Sequence, residues 1–383
     1  MIITDFFNII DAEIARKKEM ITPKTIAEFQ WHRKAAEQGN AEAQTKIGKM
    51  YYDGHGVEQD RVEALHWYNK AAEQGNAEAQ TKIGDIYCTD FTCSLVKWSY
   101  AEAIKWYRKA AKQGYAEAYF KIGDIRYKRC RIKQDFLEVE ECYRKAAEQG
   151  HVKAQFKIGK MYYDGYGVTQ NYVEALEWYR KAAKQMDAEA QFKIGDMYCC
   201  GQGVEQDHVE AFKWYRKAAE IGHVEAQFKT GNMYYDGYGA TQNYVEALEW
   251  YRKAAKIGID KTLYNIHAEA QFKIGNMYYC GQGVEQDHIE AFKWYHQAAE
   301  RWCVEAQFKV ASMYYNGDGV TQNYVEAFKW CYKAAKMRHN EAQNKVGDMY
   351  YYGYGVEQDY VEASKWYNEA AKKRKVSSIC WLM

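Results

Sequence analysis

Residues 41–72 read AEAQTKIGKMYYDGHGVEQDRVEALHWYNKAA, two stretches of helical period around a glycine-centred turn. In the first stretch Ala43, Ile47, Met50 and Tyr51 recur at i, i+4, i+7 and i+8 and predict one apolar stripe of a helix, here called helix A. Gly54 and Gly56 follow the last periodic residue, where a left-handed residue caps a helix. Asp60-x-x-Glu63 then has the spacing of an N-terminal cap in which each side chain takes one orphaned backbone N–H. Helix B carries Ala64, Tyr68, Ala71 and Ala72 on one face. Small residues at Gly48, Ala64 and Ala71 let the two backbones approach, so the unit is an antiparallel hairpin with outer faces that need neighbours.

The neighbours are further copies. Positions equivalent to Ala41 fall at Ala77, Ala116, Val152, Ala188, Val224, Ala268, Val304 and Asn340, at spacings of 36, 39, 36, 36, 36, 44, 36 and 36. A tryptophan runs in phase at Trp31, Trp67, Trp106, Trp178, Trp214, Trp250, Trp294, Trp330 and Trp366, with Cys142 filling its one gap. A period this regular predicts an all-α stack of hairpins. The eight extra residues 259–266 are expected to bulge between a helix B and the next helix A. We divide the chain into an N-terminal capping helix (1–23), a repeat array (24–375) and a flexible tail (376–383).

Composition narrows the function. The 53 Lys and Arg residues balance 52 Asp and Glu, so no global field draws the chain to nucleic acid. No run of about 18 apolar residues occurs that would predict a membrane span. The N-terminus has no readable secretory signal, and the ten cysteines keep no fixed pair of repeat positions, which favours a reducing, cytoplasmic setting.

The pattern Ala-x-Ala-x3-Ile-Gly-x2-Tyr-x2-Gly-x-Gly-Val-x2-Asp-x3-Ala-x2-Trp-Tyr-x2-Ala-Ala, from Ala41 to Ala72, resembles the Sel-one-like repeat family, relatives of tetratricopeptide repeats. The resemblance implies a right-handed α-solenoid acting as an adaptor or scaffold for other proteins. Departures stand at Arg129-Cys130-Arg131, which replaces one Gly-x-Gly, at the longer loop Cys88–Tyr100, and at Ala311, which replaces a glycine.

By analogy with tetratricopeptide geometry, the inner surface comes from helix A, where Phe120, Phe156, Phe192, Phe228, Phe272 and Phe308 recur. Tyr127, Tyr163, Tyr235, Tyr279, Tyr315 and Tyr351 run beside them. These rows are candidates for holding a partner's peptide or helix, and packing between adjacent A helices is the other role open to the phenylalanines. Lys46, Lys82, Lys121, Lys157, Lys193, Lys229, Lys273, Lys309 and Lys345 form a ladder, and eight of them have Glu four residues earlier, which predicts solvated i,i+4 pairs.

Catalytic and metal chemistry find little purchase. The Gly-x-Gly loops recur in seven units, which argues for turn geometry rather than phosphate binding. Cys200 with His208 and Cys280 with His288 fall short of a four-ligand metal site. Ser94-x-x-Lys97 matches a β-lactamase nucleophile motif without its partner motifs. No cofactor, small-molecule substrate or enzymatic activity is expected.

The tail is more specific. Cys380-Trp381-Leu382-Met383 has the form of a farnesylation box, with Lys372, Lys373, Arg374 and Lys375 upstream. Prenylation of Cys380 plus this basic cluster would supply the two signals that stable attachment to the cytosolic face of a membrane needs. Repeats of this type ending in such a box resemble the fungal chitin-synthase activators of cell-wall assembly. The expected function is therefore a non-enzymatic interaction scaffold tethered by its tail. The competing expectations are an adaptor in endoplasmic-reticulum-associated degradation and a β-lactamase-like hydrolase.

Overall fold

The computed structural model describes residues 20–89, 99–129, 135–256 and 263–379. Nineteen helices and no strand occur among them. The repeats fall into two compact units, Met1–Gln185 and Met186–Met383.

In the first unit α1 (Pro23–Glu37) precedes four hairpins. These are α2 (Ala41–Asp53) with α3 (Arg61–Glu73), α4 (Ala77–Thr89) with α5 (Tyr100–Ala111), α6 (Ala116–Arg129) with α7 (Asp135–Glu148), and α8 (Val152–Asp164) with α9 (Tyr172–Lys184). The second unit holds five: α10 (Ala188–Cys200) with α11 (His208–Glu220), α12 (Val224–Asp236) with α13 (Tyr244–Ala254), α14 (Tyr264–Cys280) with α15 (His288–Glu300), α16 (Val304–Asn316) with α17 (Tyr324–Lys336), and α18 (Asn340–Tyr352) with α19 (Tyr360–Ile379). Within each unit every helix packs on its sequence neighbour, which is the α-solenoid architecture.

The hairpin closes on one contact. A Cβ on Gly48 would lie 2.7 Å from the Tyr68 ring, and Gly84, Gly123, Gly195, Gly231 and Gly275 meet their helix-B tyrosines in the same way. The tyrosine is thereby buried flat against a bare helix backbone. Where Ala311 replaces the glycine, Cys331 stands in place of the tyrosine, so the pair is exchanged together.

The Gly-x-Gly turn joins consecutive hairpins. Gly54 takes φ 75° and caps α2, while a Cβ on Gly56 would meet the Thr25 carbonyl oxygen of α1 at 2.2 Å. Helix B starts on a side-chain cap, Asp60 Oδ1 accepting from the N–H groups of Val62 (2.8 Å) and Glu63 (3.1 Å). The expected reciprocal bond gives way to other partners. Glu210, Glu290, Glu326 and Glu362 turn to the lysine three residues on, because a full charge pair competes with the weaker backbone bond.

Two boundaries differ from expectation. Helix α14 begins at Tyr264, four residues before the repeat position Ala268, so part of the insertion is wound into an extra turn. His267 is buried there with Nδ1 2.6 Å from the Ala254 carbonyl oxygen, which anchors that turn. The backbone of α19 stays helical to Ile379, four residues into the segment read as a tail. Most of the segment read as a capping helix lies outside the described residues.

Candidate functional site

The helix-A face of each unit carries the aromatic rows, and the two rows differ. Phe120 and Phe192 are 7% and 2% exposed. Each stacks on the histidine that caps the next helix A, Phe120 on His151 at 4.5 Å and Phe192 on His223 at 4.6 Å. Those histidines accept from the Ala154 and Ala226 N–H groups and meet Glu117 (2.8 Å) and Glu189 (3.0 Å) through Nε2. The hydrogen bond from His151 holds the Glu117 carboxyl below its ordinary range. Phe120 and Phe192 are thus occupied between hairpins. Phe156, Phe228, Phe272 and Phe308 are half-buried, the first three tilted against their own helix-B tyrosines at 5.5–5.7 Å.

The tyrosine row sits at the C-terminal end of helix A. Tyr163, Tyr235, Tyr279 and Tyr315 are half-buried and pack on the first residue of helix B, Tyr172, Tyr244, His288 and Tyr324 respectively, at 4.6–5.3 Å. Lysines of the following helix A lie over this row: Lys273 over Tyr235 (5.4 Å), Lys309 over Tyr279 (5.9 Å) and Lys345 over Tyr315 (3.4 Å). The lysine ladder is therefore largely not one of i,i+4 pairs. Lys121 keeps its Glu117 partner at 3.7 Å, but Lys82 and Lys193 reach the aspartate three residues on, at 3.7 and 3.2 Å.

Helix-B tyrosines finish the face from beneath. The Tyr107, Tyr143, Tyr215 and Tyr367 hydroxyls donate to Asp85, Asp124, Asp196 and Asp348, and those of Tyr251 and Tyr295 donate to Asn232 and Asn276, all at 2.7–2.8 Å. Burial raises the pKa of these hydroxyls, most of them far above the usual phenol value, so they remain donors. Between α2 and α6 the face opens into a cleft of about 230 Å³ where Lys49, Lys82 and Lys121 meet Asp53 and Asp85. Nothing in the linear pattern points to that cleft, since its residues come from three repeats.

The remaining candidates are dispersed. Cys199 rather than Cys200 is the thiol near His208, Sγ to Nδ1 3.9 Å, and His288 stacks on Tyr279. The described cysteines are free thiols. Ser94, Lys97 and Cys380 lie outside the described residues, as do the side chains of Lys373, Arg374 and Lys375. Lys372 is exposed and paired with Glu369. No described helix is long and apolar enough to cross a membrane.

Helix hairpins closed by glycine-tyrosine contacts and stacked through Gly-x-Gly turns define a repeat protein of the solenoid class. The Sel1 repeat model matches ten segments, 29–40, 41–76, 77–115, 116–151, 152–185, 188–223, 224–259, 268–301, 304–339 and 340–374, so the chain belongs to the Sel1 repeat family. Among solved structures it is similar to a protective antigen of uropathogenic Escherichia coli strains displaying this fold, at 28% identity over 91% of this chain and 90% of that one, TM-score 0.56. It is also similar to a Sel1 repeat protein from Oxalobacter formigenes, at 28% identity over 83% of this chain and 89% of that one, TM-score 0.61. No curated protein matches the chain in sequence. Proteins of this fold generally serve as non-enzymatic scaffolds for protein interaction.

Proposed function

We propose that this chain is a non-enzymatic scaffold that holds a peptide or helix of a partner protein on its helix-A face. The observation that carries this reading is the ladder of half-buried tyrosines with lysines laid over them, Tyr235, Tyr279 and Tyr315 under Lys273, Lys309 and Lys345. Such a surface offers flat apolar area, hydroxyl groups and cations to one extended ligand at low conformational cost. Within the second unit Phe228, Phe272 and Phe308 supply further apolar area, and Phe156 and Tyr163 are the corresponding residues of the first unit. Photo-crosslinking tests it: benzoylphenylalanine at position 279 should trap discrete partners in cells, and the same probe at the exposed Glu249 of helix B should not. Adducts from position 249 alone would contradict the reading.

The scaffold is proposed to be tethered at the cytosolic face of a membrane through prenylated Cys380, with Lys372, Lys373, Arg374 and Lys375 as the second signal. Support comes from the tail sequence, and its likeness to fungal chitin-synthase activators supplies cell-wall assembly as the candidate pathway. Intact mass after expression in farnesylating cells decides it. The proposal expects loss of Trp381-Leu382-Met383 and gain of a prenyl group, and an unmodified C-terminus would overturn it.

A further inference from the structure

Trp67, Trp178, Trp250 and Trp330 of helix B are buried at the seam with the preceding hairpin, whereas one hairpin has no tryptophan at this position. Trp178 shows the filled seam: it is 4% exposed and belongs to the cluster of Ala147 and Ile158. Its indole N–H donates to Glu174 Oε1 at 3.0 Å, and Lys181 Nζ lies 3.7 Å above the ring. One repeat earlier Cys142 takes its place, and a cleft of about 300 Å³ stands there. Ala111, Ile122 and Cys142, the counterparts of Ala147, Ile158 and Trp178, line it together with the ring of Tyr119, which stands where the filled seam has Gln155. The groups that hold the indole are still present, since Glu138 and Lys145 occupy the positions of Glu174 and Lys181 and line the cleft. With no indole beneath it, Lys145 pairs with Glu141 at 2.7 Å and lies 5.6 Å over the Tyr119 ring.

The rim carries charge. Arg108, Lys112, Arg126 and Lys145 face two carboxylates, those of Glu138 and Glu141, which leaves an excess of cations. Lys112 stands where the filled seam has Glu148, and Arg126 where it has Tyr162. Arg126 contacts Glu138, while its Nε is buried without an acceptor.

We propose that the cleft beside Cys142 is a binding site for the tryptophan side chain of a partner protein, in a segment with acidic residues flanking the tryptophan. The indole fills the space left in the tryptophan column, its N–H donates to Glu138, and Lys145 covers its face. The flanking carboxylates meet Arg108, Lys112 and Arg126. This site lies on the helix-B side of the seam and does not depend on the helix-A ladder.

The test uses the full chain and the acetylated, amidated peptide Glu-Asp-Trp-Glu carrying 5-fluorotryptophan, followed by fluorine NMR. Saturable broadening or shift is expected with the wild-type chain. Cys142→Trp, which fills the cleft with the chain's own indole, should weaken binding at least 10-fold. A peptide methylated on the indole nitrogen should bind about 10-fold more weakly, as should one with lysines in place of the acidic residues. Glu138→Ala on the exposed rim provides a second variant, also expected to lose about 10-fold, with circular dichroism checking the fold of both. No saturation with the wild-type chain at millimolar peptide would overturn the site, and so would binding as tight as wild type by both Cys142→Trp and Glu138→Ala. Binding of free fluoroindole as tight as that of the peptide would replace a partner segment with a small-molecule ligand and overturn the proposal as stated.

Discussion

Hairpins α16/α17 and α6/α7 each lack one large ring of the repeat, and they end differently. In α16/α17 the tyrosine is lost to Cys331, yet the void beside it is only about 10 Å³, no more than a single water needs. Ala311 adds a methyl where the other hairpins have glycine, and Phe308 and Met349 complete the packing. In α6/α7 the tryptophan is lost to Cys142, and about 300 Å³ stays open. The tyrosine lies inside a hairpin, where two backbones can be refitted by one exchanged pair. The tryptophan position lies at a seam edged by charged groups, Glu138, Glu141 and Lys145 among them exposed, and no described side chain takes the place of the indole. A repeat tolerates the loss of a ring within its core only with compensation, and tolerates it at the seam by leaving a surface.

A second gap in the tryptophan column should have the largest effect. Trp178→Ala should cost ~3–5 kcal/mol in chemical denaturation, since a nearly buried indole is removed. A loss under ~1 kcal/mol would mean that the seam tryptophans hold little of the stack together. The next effect concerns compensation. Gly275→Ala places a Cβ 2.6 Å from the Tyr295 ring and should cost ~1–3 kcal/mol by overpacking. Adding Tyr295→Cys should recover part of that loss and so reproduce the Ala311–Cys331 pair, a favourable coupling readable from a double-mutant cycle. Strict additivity would show that the two exchanges are unrelated.

The smallest effect lies in the turns from helix B to helix A. Met186, Trp302 and Arg338 hold φ of 63°, 66° and 64° at the turn where other repeats have glycine. Each replacement by glycine should gain up to ~1 kcal/mol, as relief of left-handed strain is partly offset by the chain entropy of glycine. A loss of stability at Trp302, whose indole is exposed, would reveal a packing role that the geometry does not show.

Most of the fold was legible because the period writes it repeatedly: the stripe of Ala43, Ile47 and Met50, the caps at Asp60 and its equivalents, and the glycine turns each hold within one repeat. What was not legible depends on the next repeat. The Glu42-to-Lys46 spacing suggests a pair within one helix, whereas Lys273, Lys309 and Lys345 find tyrosines of the preceding hairpin. For Phe192, groove surface and packing between A helices stay equally open in sequence until His223 is laid over it. The insertion before Ala268 reads as loop because nothing in sequence shows that His267 reaches Ala254. Cys142 was visible as the gap in the tryptophan column, but an empty position becomes a cleft only when Glu138, Lys145 and Ala111 are seen around it.

The most direct test fills that gap. Thermal and chemical unfolding of Cys142→Trp, read with acrylamide quenching of the new indole, measures whether the seam of α6/α7 keeps the shape of a tryptophan. A stabilisation of ~1–2 kcal/mol with a shielded indole is predicted, as expected for burying a ring in prepared space. Unchanged or lowered stability with a freely quenched indole would contradict it, and the gap in the tryptophan column would then be no more than a substitution.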